Sequence, residues 1–279
     1  MKRFAFLTLL CLFGLSAFSC GDAGQPDLTE PATRGDNSPT AVIKVDPANP
    51  ANKYDMVGKM HNEALAYTRD FIASSPYKIS SQGIIDLAYK FSIELLSSDP
   101  EMASADFDSI PRLTFDEAKF ILEDITNNNL DKFIANLNMD SRLRIKLKDL
   151  VDSVIKEAGS EMVNYGILYD GIVKFEDEIM SIMSYKITQK DACSLLSFTS
   201  TLRYSLAYWE NTYSDSVEDE AAPGGKIKKW LKVAAVALSD AAGAVAGAAT
   251  GSLIGPVSAV AGAICTGTAA SCAVGSILY

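Results

Sequence analysis

Residues 239–275 read SDAAGAVAGAATGSLIGPVSAVAGAICTGTAASCAVG, and the reading of this stretch decides the fold. Every fourth position is small: Ser239, Gly243, Gly247, Gly251, Gly255, Ala259, Ala263, Gly267, Ser271 and Gly275. Residues four apart stack on one face of a helix, so the series predicts a strip without side chains that admits a second backbone at close range. Gly255-Pro256 interrupts it, because proline lacks the amide donor and clashes with the preceding turn. Two apolar helices result, Ile227–Ile254 and Val257–Leu278, each about long enough at 1.5 Å per residue to cross a 30 Å hydrocarbon layer. The expected shape is a Gly/Ala-rich helical hairpin over 226–279, with Gly243, Gly247, Gly251 and Gly255 as its helix-packing residues.

No Asp, Glu, Lys or Arg occurs from Ala241 to Tyr279, while Lys226, Lys228, Lys229 and Lys232 gather at the head of the hairpin beside Trp230. A basic and aromatic lip before a charge-free segment suits a membrane interface followed by a membrane interior, so these five residues form the expected docking set for lipid. Self-association through the glycine strip is the second expected contact. A competing expectation is a water-soluble hairpin folded onto the acidic body, since Ala and Gly are weakly apolar and Asp240 is costly in lipid.

Upstream of the hairpin the helical period governs. Residues 53–213 form the expected helical domain. Met56, Val57, Met60, Ala64, Leu65 and Thr68 recur at three and four from Tyr54 to Ile72. A second helix over 81–96 is apolar nearly all round, which predicts a central position. Thr114 and Glu117 make a capping box ahead of helices at 115–126 and 129–137. Asp140 caps a helix reaching Ala158, a helix is expected over 172–185, and Thr188 caps a long one through Trp209. Strand alternation is scarce, so the fold class is all-α: an irregular helical bundle followed by the hairpin. Between them, 214–225 is an acidic linker ending in Ala221-Ala222-Pro223-Gly224-Gly225.

The N-terminus reads as an export signal over 1–19: Lys2 and Arg3, an apolar run from Phe4 to Phe18, and Ala17-Phe18-Ser19-Cys20 in the position of a lipoprotein cleavage box. Cys20 is the expected lipidation site, and 20–52, with five prolines and little apolar content, the flexible tether. The expected location is the cell envelope, at the outer membrane or cell surface.

A formal charge of −10 speaks against nucleic acid as partner. His61 is the lone histidine. One histidine does not build the usual zinc site, and Glu63 two positions on points elsewhere on the helix. His61 and Asn62 are therefore expected as a hydrogen-bonded packing element, and Cys193 as core. Cys265 and Cys272 lie about 10 Å apart on a continuous helix, too far for a disulfide, and are expected free. The acids Asp116/Glu117 and Glu176/Asp177/Glu178 are expected on solvated faces. No constellation supports catalysis, a cofactor, a metal or a small-molecule substrate.

The run Val57-Gly58-Lys59-Met60-His61-Asn62-Glu63-Ala64-Leu65 behind a lipoprotein-like leader, together with Leu202-Arg203-Tyr204-Ser205-Leu206-Ala207-Tyr208-Trp209 and the zipper tail, resembles uncharacterised exported lipoproteins of Bacteroidota. That resemblance implies export and a surface location but no activity. The tail by itself looks like membrane-inserting bacteriocin peptides, which implies a toxin-like insertion of the hairpin.

Overall fold

The computed structural model describes residues 46–126, 130–160, 163–183, 186–213 and 225–278. The leader, Cys20 and most of the tether and acidic linker lie outside the described residues. Lys44–Tyr279 forms one compact unit, so the hairpin and the preceding helices share a core rather than making separate domains.

Nine α-helices and no strands occur among the described residues. They are α1 (Asp55–Ser74), α2 (Ser81–Ser97), α3 (Phe115–Thr126), α4 (Leu130–Asn136), α5 (Ser141–Ala158), α6 (Tyr165–Ile182), α7 (Gln189–Tyr213), α8 (Gly225–Gly251) and α9 (Pro256–Leu278). Their starts are set locally. Ser80 accepts from the Gly83 amide at 3.1 Å, Asp140 from Arg142 at 2.8 Å, and Thr188 from Asp191 at 3.0 Å. Each bond satisfies one of the four amides that a helix N-terminus leaves without an internal partner. The Thr114/Glu117 box forms as expected: the Glu117 carboxylate accepts from the Thr114 amide at 2.7 Å. The helix anticipated over 172–185 begins seven residues earlier, at Tyr165, because the Asn164 side chain caps it through the Gly166 amide at 2.8 Å.

The centre of the molecule is α7, α8 and α9. Every residue of α7 from Asp191 to Arg203 is buried, and α9 is sheathed by α1, α2 and α3. On α8 lie α7, α3 and α5. Thus α2, expected at the centre, is peripheral: only Ile85, Ala88, Tyr89, Ser92 and Leu96 are buried, on its inner side. The hairpin takes the position that α2 was expected to hold. α1 and α5 follow their periods, burying Val57, Met60, Ala64 and Leu65 on one and Leu143, Leu147, Leu150 and Val154 on the other. Each such Val, Leu or Met side chain contributes roughly 1.5–3 kcal/mol when removed from water.

Residues 46–52, expected as the end of a free tether, are bound to the body. Arg203, wholly buried, donates to the Pro47 carbonyl and pairs with Asp55 at 2.5 Å and Glu176 at 3.2 Å. Asn49 and Asn52 donate to the Glu176 carboxylate at 2.6 and 2.7 Å. Burial alone would pull the guanidinium down, but Glu176 and Asp55 outweigh it and hold Arg203 above its ordinary pKa. Glu176 is therefore a core residue and not part of a solvated face. Asp177 and Glu178 beside it are exposed, as expected.

Candidate functional site

The hairpin and the groups that hold it form the site with the most distinctive chemistry. Its two helices meet along glycine. A Cβ on Gly247 would overlap the Gly262 carbonyl, one on Gly251 would overlap that of Ser258, and one on Gly243 would lie 2.7 Å from the Thr266 carbonyl oxygen. Each step of four down α8 is answered by a step of four up α9. The strip that the sequence offers to another backbone is thus occupied within the chain. On α9 the line of closest approach is Ser258, Gly262, Thr266 and Ala270, one residue out of phase with the Ala259, Ala263, Gly267 series. Gly255 is not part of this seam: it lies in the turn, where an added Cβ would meet nothing within 4 Å.

One charged side chain sits midway along α8, wholly buried. The Asp240 Oδ2 accepts from the hydroxyls of Ser205 and, at 2.9 Å, Ser271, and from the Trp209 indole N–H at 3.3 Å. His61 of α1 places its Nε2 3.8 Å away, and among the described residues neither His61 Nε2 nor Asp240 Oδ1 has a hydrogen-bond partner. α1, α7 and α9 therefore converge on one carboxyl of α8. Gly267 permits the approach, since a Cβ there would press on the Asp240 carbonyl oxygen at 3.2 Å and on the His61 ring at 3.3 Å.

Burial pushes Asp240 up to about 7, against the downward pull of Ser205, Ser271 and Trp209. It pushes His61 down to about 4, against the upward pull of Asn62 and the Gly267 backbone. The 3.8 Å approach is consequently a contact of a neutral imidazole with a carboxyl group, not a buried ion pair. It also lacks the arrangement of a serine hydrolase triad: both serine hydroxyls donate to the acid and neither to the histidine, while His61 Nδ1 lies 2.9 Å from Asn62 Oδ1.

The two groups act on stability with opposite sign. A carboxyl raised from 3.8 to about 7 contributes stability that is whole below 3.8 and lost as pH rises through 7. An imidazole lowered from 6.5 to about 4 contributes stability that is whole above 6.5 and lost as pH falls through 4. Between about 4 and 6.5 the two slopes oppose one another. Asp240→Asn keeps a carbonyl acceptor for Ser205 and Ser271 at the Oδ2 position and cannot ionise. The variant should match wild type near pH 4 and exceed it by pH 8, the difference growing by up to about 1.4 kcal/mol per pH unit. Urea unfolding at pH 4, 6 and 8 measures this, and a difference that does not vary with pH would refute the assignment.

The expected docking residues are placed in part. The side chains of Lys226 and Lys228 lie outside the described residues. Trp230 is half-buried against the core, Lys229 and Lys232 are half-buried, and Lys229 faces Glu210 of α7. Cys193, Cys265 and Cys272 are buried free thiols, as their positions in the sequence suggested. Among the described residues no group of three or more His, Cys, Asp or Glu side chains is placed to hold a metal ion.

In the sequence, Asp240 reads only as a cost in lipid, and His61 as a packing partner of Asn62 rather than a base or ligand paired with Glu63 or Cys193. The available signal was their isolation: the lone histidine of the chain, and the last acidic residue before a long charge-free run. Comparison with protein-family models, with curated proteins and with solved structures finds no match to this chain.

Proposed function

We propose that the chain is an exported, lipid-anchored cell-envelope protein whose hairpin is the central pillar of a water-soluble helical domain, displayed at the surface for interaction or scaffolding. The observation that supports this reading is the enclosure of the hairpin. Lys229–Gly251 and Pro256–Ile277 are each long and apolar enough to cross a membrane, yet 83% and 94% of the apolar 18-residue stretch within each is buried inside the chain. Asp240 adds weight. Transfer of the hairpin to lipid would leave Ser205 and Trp209 behind and strand a carboxyl in hydrocarbon.

A second reading, in which the hairpin leaves the bundle and enters a membrane in a toxin-like manner, draws on one specific observation. The turn of the hairpin exposes Leu253 at 72% and Ile254 at 46%, an apolar tip on a segment without charge beyond Asp240.

One experiment separates the two. Wild type and Cys20→Ser are expressed in a host that processes lipoproteins, and the envelope is fractionated. On the first reading the wild type sediments with membranes and the variant is released to the soluble fraction. Retention of Cys20→Ser on membranes, relieved by Leu253→Glu with Ile254→Glu, would establish the second reading in its place.

A further inference from the structure

A groove of about 500 Å³ opens where α1, α2, α7 and α9 meet, sharing Trp209 and Ser271 with the enclosed Asp240 cluster behind it. Its accessible apolar walls are Ile72, Ala73, Ile84 and Gly275, with Leu65, Trp209 and Cys272 buried behind them. Gly275 keeps it open over the indole, since a Cβ there would stand 3.2 Å from Trp209 Cη2. Arg69 also lines the groove.

The state of Arg69 is the informative feature. Its guanidinium carbon lies 5.1 Å from the centre of the Trp209 ring and 5.6 Å from that of Tyr208, so two aromatic faces hold it in place. Its only direct bonds among the described residues go to neutral hydroxyls, Tyr208 at 3.2 Å and Thr212 at 3.4 Å, both long. No carboxylate lies within 4 Å of it among the described residues, and Asp70, which also lines the groove, is exposed and unpaired with it. Arg203, borne by α7 itself, is by contrast neutralised by two acids. A half-buried, preoriented guanidinium without a counter-ion at an apolar groove is suited to an anion carried on an apolar body.

We propose that this groove binds a free amphiphilic carboxylate, its head group on Arg69 and its chain along Ile72, Ile84 and Gly275. The volume falls in the range of small-molecule sites, and the ratio of one cation to several apolar walls matches a single anionic head with an aliphatic tail. The site belongs to the enclosed state of the hairpin and does not depend on whether that hairpin ever meets lipid. Because the tail would lie on Gly275, over the nearly enclosed Trp209 indole, occupancy reinforces the packing of α9 on α7.

The test uses residues 21–279 with Trp230→Phe, which leaves Trp209 as the sole indole. Decanoate, kept below its micellar concentration, is titrated at pH 7.5 while Trp209 emission is followed. Saturable binding in the micromolar range is expected. Decanol should bind at least tenfold more weakly, and Arg69→Gln should reduce decanoate affinity at least tenfold while leaving decanol unchanged. The decanol comparison stands even if the Arg69 variant folds poorly. No saturable response to decanoate, or equal affinity for decanol, would overturn the proposal. A response to phosphatidylglycerol vesicles with none to decanoate would overturn it equally, by assigning the groove to a lipid surface.

Discussion

Gly247→Leu should abolish cooperative folding or lower stability by about 4 kcal/mol or more, a large part of the 5–15 kcal/mol typical of a whole domain. The clash is with the Gly262 carbonyl, a main-chain atom in the middle of a helix, so rotation of a side chain brings no relief. Either the helices separate along their whole length, losing the packing of the surrounding alanines, or the leucine is forced into a strained rotamer. Gly255→Ala is the internal control. Its surroundings are empty to 4 Å and its backbone does not adopt the left-handed region, so a change within about 0.5 kcal/mol is expected. Thermal melts followed by circular dichroism decide the matter. Equal melting temperatures for wild type and Gly247→Leu would mean that the two backbones do not meet there.

Arg203→Met is expected to cost about 3–5 kcal/mol, because it leaves the wholly buried Glu176 without its counter-charge while the Asp55 and Pro47 contacts vanish together. The loss should persist in 1 M salt, since an enclosed pair is screened far less than a surface one. Adding Glu176→Gln should recover about half of it: a neutral amide removes the stranded charge and its carbonyl still accepts from Asn49 or Asn52. A double variant no more stable than the single one, by urea midpoint, would show that the arginine works by packing alone.

Much of the bundle was legible because its determinants are local. The caps at Thr114, Asp140 and Thr188, the periods of α1 and α5 and the break at Gly255-Pro256 depend on neighbours within a few residues. The misreadings involve partners far along the chain. Nothing near Glu176 separates it from Asp177 and Glu178, since its partners arrive from two distant places, Asn49 and Asn52 from the segment before α1 and Arg203 from α7. The offset on α9 has a related cause. The turn at 252–255 resets the helical phase, so a period of four counted straight through it names the neighbouring row of small residues. Whether a charge-free helix faces lipid or protein is likewise decided by its surroundings, here α1, α2, α3, α5 and α7. Arg69 shows no signature in sequence because its aromatic partners lie on α7, more than a hundred residues away.

The helices that fill the centre of this fold come, in the chain, after the helices that enclose them. A polypeptide without α8 and α9 would be a shell with nothing inside it, because the faces of α2 and α7 that lie on the hairpin would be left in water. Cooperativity in this molecule therefore rests on its filling: the wall has no reason to close before the pillar stands.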